Sequence, residues 1–132
     1  MKKIIFSILF LVLIFSSTNA QGFKLYTSRV DSGTNLSNAA ITLEDGYWLK
    51  AIFFPTMKAN TTSFKLLVYN YATAAYDTLW YDSEVYNPTI SRAGSPTSLP
   101  ANAVWGIQKF KILLPVSQDS NTDIKIVAIK PS

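Results

Sequence analysis

Apolar and polar residues alternate with a period of two along most of the chain after position 20. Seven stretches are rich in β-branched, aromatic and Leu residues: Phe23–Val30, Ile41–Glu44, Tyr47–Phe54, Phe64–Tyr71, Thr78–Asp82, Val104–Leu114 and Ile124–Lys130. Clusters of Gly, Pro, Asn, Asp, Ser and Thr separate them, as turns separate strands. Glu84–Tyr86 fits an eighth, short strand. No stretch carries a sustained i, i+3, i+4, i+7 stripe between helix caps. The expected fold is all-β: a single antiparallel β-sandwich of seven to eight strands, Ig-like or jelly-roll-like, over residues 21–132.

Parity along each strand predicts which residues face a core. Around Glu44-Asp45-Gly46, a three-residue loop with Gly46 in the left-handed conformation would pair Leu43 with Tyr47 and Ile41 with Leu49. That register lines up Ile41, Leu43, Tyr47, Leu49, Ala51 and Phe53 on one face, and Pro55 ends the strand. Phe64, Leu66 and Val68 form the inward set of the next strand, leaving Lys65, Leu67, Tyr69 and Tyr71 opposite. Leu79 and Tyr81 look inward, with Trp80 beside Thr78 and Asp82. Val104, Phe110, Ile112 and Leu114 share a face, and Trp105 falls with Lys109 and Lys111. All three tryptophans therefore lie on the parity of polar residues. One β-bulge would invert the parity of everything after it.

Exposed flat rings beside polar side chains suit a sugar, whose C–H groups stack on the ring while Asp, Asn, Gln or Lys bind its hydroxyls. The candidate ligand-binding residues are Trp80, Trp48, Trp105, Tyr69, Tyr71 and Asp82. Trp80 leads, because its neighbours Thr78 and Asp82 are both polar. A platform requires Trp80 and at least one other aromatic to be accessible on the same sheet.

Composition narrows the chemistry. The 132 residues contain neither Cys nor His. That removes disulfides, thiolate nucleophiles, Cys-ligated metal clusters and a Ser-His-Asp triad. Lys2 and Lys3, the apolar run Ile4–Phe15 and Ser16–Ala20 read as a secretory signal peptide cleaved before Gln21. The run is too short for a membrane span, which needs about 20 residues. Without Lys2 and Lys3, ten basic side chains face eight acidic ones. So slight an excess argues against a nucleic-acid partner. The expected location is secreted, periplasmic or extracellular, with no membrane span in the mature chain.

Asp119, Asn121 and Asp123 alternate as the first ligands of a calcium loop do, but Ile124 stands where an EF-hand needs Gly and Lys130 where it needs Glu. An ordinary turn explains them, and no metal or other cofactor is expected. Asn35-Leu36-Ser37 and Asn60-Thr61-Thr62 match the glycosylation sequon in expected loops. Asn87–Asn102 is the longest irregular segment, stiffened by Pro88, Pro96 and Pro100. Asp82 and Glu84 are the best-placed carboxylates, yet a small sandwich offers no deep cleft to raise either pKa, so no enzymatic activity is expected.

Three functions fit these features. The first is a secreted, non-enzymatic binding module recognising a glycan or an extracellular protein through surface aromatics. The second is a structural, adhesin-type or self-assembling surface protein. The third is an inhibitor of a secreted enzyme, presenting the 87–102 loop.

Overall fold

The computed structural model describes residues 22–131. Residues 1–20, read above as a signal peptide, lie outside the described residues. The alternating stretches become β1 (Gly22–Val30), β2 (Ile41–Thr42), β3 (Trp48–Phe53), β4 (Lys65–Asn70), β5 (Ala75–Thr78), β6 (Trp80–Tyr81), β7 (Glu84–Val85), β8 (Pro96–Ser98), β9 (Lys109–Leu113) and β10 (Thr122–Lys130). One helical turn, α1 (Ala101–Val104), precedes β9. The fold is all-β, and every ladder between these strands is antiparallel. No helix among the described residues is long and apolar enough to cross a membrane.

A first sheet has the order β1-β10-β3-β8, a second the order β2-β9-β4-β5, and β6 and β7 form a separate hairpin. Both four-stranded sheets feed one core. Ile52, Ile124, Ile126 and Ala128 come from the first, and Leu66, Phe110 and Ile112 from the second. Phe54 and Phe64 flank these strands and meet with ring centroids 4.9 Å apart. Burial of these large side chains, each worth about 1.5–3 kcal/mol, is the chief force holding a chain that has no disulfide.

The structure corrects several sequence expectations. Among the described residues ten strands form, against the seven to eight expected. β2 and β3 are not a hairpin: β2 pairs with β9, whereas β3 pairs with β10 and β8. Gly46 does take the left-handed conformation, φ 81°, in a turn closed by the Tyr47 amide donating to the Glu44 carbonyl. That turn carries the chain from one sheet to the other, so Leu43 does not pair with Tyr47. In β3 the register against β10 shifts between Val127 and Ala128, which places Lys50 in a bulge. Leu49 and Ile52 consequently both point into the core, and Phe54 rather than Phe53 is buried.

The segment 104–114 is not one strand. Pro100 has the φ of −65° that suits the start of α1, and Gly106 has φ 80°, so extended backbone begins only at Lys109. The segment 87–102 is not a free loop either. It contains β8, which joins the edge of the first sheet beside β3, and Thr97 and Leu99 are buried. Parity holds elsewhere: Phe64, Leu66, Phe110, Ile112 and Leu114 are buried, and Val68, Leu79 and Tyr81 pack against them.

Candidate functional site

The six candidate residues fall in three places. The first is the face of the first sheet turned away from the core. Register sets Phe23 opposite Ile129, and Ile129 opposite Trp48, so three large apolar side chains form a row across β1, β10 and β3. Leu25 opposite Val127 begins the next row. Phe23 is 69% exposed and Leu25 66%, which is unusual for such side chains in a well-formed strand. Trp105 is also 69% exposed, and it meets Trp48 edge to face with centroids 6.2 Å apart. The α1 turn explains this placement. Ala103 and Val104 are buried, so the chain leaves α1 with Trp105 swung toward the first sheet. Trp105 therefore does not share a face with Lys109 and Lys111, as strand parity had implied. Beneath the tryptophan pair, Leu49, Leu99, Val104, Ile129 and Pro131 line a cleft of about 210 Å³. That is below the size of a typical small-molecule pocket and suits one inserted side chain or ring.

The second place is the outward face of the second sheet. Tyr69 on β4 packs against Tyr71 at 4.9 Å and against Tyr76 on β5 at 5.2 Å, both edge to face. Register places Tyr69 directly opposite Tyr76. Lys109 sets its Nζ 4.3 Å from the centre of the Tyr69 ring, and Lys111 sets its own 5.0 Å from that of Tyr76. Tyr76 was missed by sequence reading because the strand holding it begins three residues earlier than expected.

The third is the β6–β7 hairpin. Trp80 is 63% exposed there, opposite Val85. Asp82 and Ser83 form the two-residue turn, with φ of 53° and 66°. Left-handed conformation at both positions is the type I′ pattern, which Asp tolerates well. Asp82 is thus a turn residue and not a neighbour on the face of Trp80. Tyr81 turns inward, where its hydroxyl accepts from Asn102 and its ring meets Tyr86. Burial, with Tyr81 beside it, pushes the Tyr86 hydroxyl pKa up. No second exposed large aromatic lies on this small sheet, so Trp80 does not form a platform with Trp48 or Trp105.

The oxygen atoms of the would-be calcium loop are turned to protein partners. Asp119 accepts from Lys58 Nζ at 2.8 Å, Asn121 accepts from the Ser32 amide at 3.0 Å, and Asp123 takes a two-pronged pair with Arg29. That pair holds the Asp123 carboxyl below its usual range. Among the described residues, no group of three or more His, Cys, Asp or Glu side chains gathers in a way that could hold a metal. The two sequons differ: Asn35 spends its side-chain amide on the Leu114 carbonyl, whereas Asn60 is exposed at φ 70°.

Sequence reading also passed over Phe23 and Leu25. The signal was present, since they share their parity with Arg29 while Val30 falls on the other. Comparison of this chain with protein-family models, with curated proteins and with solved structures finds no match.

Proposed function

We propose that this protein is a secreted, non-enzymatic binding module, built as a β-sandwich, that engages an extracellular protein or glycan through surface aromatics. The observation that carries this reading is the Phe23–Ile129–Trp48 row continued by Trp105. Contiguous exposed apolar side chains cost solubility, and a monomeric domain without a use for them keeps them apart. Aromatic side chains flanking a cleft that takes one side chain make the arrangement of an interface anchor. With so few polar groups among them, this face favours a protein partner over a hydroxyl-rich sugar. Export rests on the composition of residues 1–20.

A photo-crosslinking amino acid at position 105 tests this in cells expressing the full chain. The reading expects a discrete adduct that disappears when Trp48 is replaced by Ala. The same probe at exposed Gln108 should give none. Equal adducts from both positions, or none from 105, would contradict it.

The self-assembly reading has one observation in its favour. β1 lies at the edge of the first sheet, and Phe23–Ser28 has no ladder partner on its outer side among the described residues. Concentration-dependent sedimentation that Phe23→Lys abolishes would support that alternative instead.

A further inference from the structure

The second sheet turns a different chemistry to solvent. Lys65, Lys109 and Lys111 lie on its outward face together with Tyr69 and Tyr76, and Tyr71 extends the group just past β4. None of these lysines forms an ion pair among the described residues, where the ion pairs are Lys24–Glu44, Arg29–Asp123 and Lys58–Asp119. No carboxylate occupies an outward position on the four strands. Asp77 on β5 has the opposite parity, opposite Val68, and accepts from the Asn70 amide. The charges on the face are therefore all cationic, although residues 21–132 carry ten basic side chains against eight acidic ones.

From this juxtaposition we infer that the outward face of the second sheet binds an anionic polysaccharide, one bearing carboxylate or sulfate groups along its length. Charge complementarity selects an anion, because three unpaired ammonium groups on one face repel one another until a counter-charge arrives. The flat sheet surface suits an extended chain better than a small enclosed ligand. The ring geometry separates a glycan from a nucleic acid. Nucleobases need open ring faces to stack on. Here Lys109 and Lys111 lie over Tyr69 and Tyr76 themselves, at 4.3 and 5.0 Å. Leu67 and Leu113 share this face half-buried, and the polar groups beside them are ammonium and phenol donors, which match carboxylate, sulfate and hydroxyl oxygens. Tyr71, 68% exposed, is left as a single open ring, enough for the C–H face of one sugar but not the series of rings on which successive bases stack. This site is distinct from the apolar face of the first sheet and does not depend on what that face takes.

The test uses protein expressed from the full chain, with polygalacturonate and dextran sulfate as polyanions and dextran as the neutral control. Binding is read by affinity electrophoresis and titration calorimetry. The expected result is binding to at least one polyanion and not to dextran, weakening as salt rises. Lys109→Gln/Lys111→Gln keeps most of each stem and removes the charge. It should weaken binding about tenfold, which is about 1.4 kcal/mol for the pair, with an unchanged circular dichroism spectrum. Trp48→Ala/Trp105→Ala should bind the polyanion as the parent does, which separates failure here from failure of the first-sheet reading. Three results would overturn the inference. They are no polyanion binding at low salt, unchanged binding by the double lysine variant, and oligothymidylate bound more tightly than either polyanion.

Discussion

Trp48 and Trp105 meet edge to face at 6.2 Å although one belongs to a strand and the other follows a helical turn 57 positions later. Two elements must each be in place for the pair to exist, so it reports on the first-sheet surface as a unit. Because Trp105 is mostly exposed, Trp105→Ala should cost the fold about 1 kcal/mol or less. The same variant should leave Trp48 more open to iodide. Chemical denaturation and quenching measure the two effects separately.

Gln118 is 2% exposed, and its side chain ties the 116–118 segment to the 58–61 turn. Its side-chain oxygen accepts from the Lys58 amide, and its nitrogen donates to Thr61 Oγ1 and to the Val116 carbonyl. Gln118→Leu would strand those partners in the interior. The expected loss is about 1–3 kcal/mol of unfolding free energy, measured by urea denaturation.

Ser28 is the converse case. Its hydroxyl is buried with no hydrogen-bond partner. Ser28→Ala removes an unsatisfied group and leaves the β1–β10 ladder intact, so stability should stay level or rise by about 1 kcal/mol. A clear loss in thermal denaturation would mean that the hydroxyl has a partner in solution.

The strand faces were legible where side chains alternate without interruption. Phe64, Leu66 and Val68 lie on one side and Tyr69 on the other because nothing disturbs the pleat between them. The assignment of strands to sheets was not legible. A left-handed Gly46 specifies a turn, and the same turn serves a hairpin or a crossing between sheets. The bulge at Lys50 was equally silent, since Ala51, Ile52 and Phe53 are all acceptable in a strand. The candidate site was read in pieces. The exposed parity of Trp48 and Trp80 followed from local pattern, but Trp105 follows a helical turn, and its meeting with Trp48 depends on packing between segments far apart in sequence. Asp82 falls in a two-residue turn, a place that local pattern did not show because a turn acid and a strand-face acid look alike in one dimension.

Acid should weaken the fold in part through Arg29 and Asp123, which are register partners across β1 and β10. The folded chain holds the Asp123 carboxyl below its ordinary value, chiefly through its hydrogen bond to Arg29. A depressed carboxyl contributes stability above its unfolded pKa, about 3.9, and loses it as pH falls through the folded value. Asp123→Asn should therefore lower stability modestly at neutral pH, where the exposed pair contributes, and flatten the acid limb below about pH 4, where parent and variant converge. Tyr86 acts at the other end. Its pKa is raised by burial, so its contribution is lost as pH climbs beyond the ordinary tyrosine range near about 10. Urea midpoints across the pH range for parent, Asp123→Asn and Tyr86→Phe check both limbs.

The most direct measurement is tryptophan emission with iodide quenching for the parent and for Phe variants at positions 48, 80 and 105. Trp80 and Trp105 are expected to emit at long wavelength and to be strongly quenched. Trp48, only 37% exposed, should be quenched less until Trp105 is removed. Blue-shifted emission that resists iodide in all variants at every protein concentration would contradict the claim that these rings form an open binding surface.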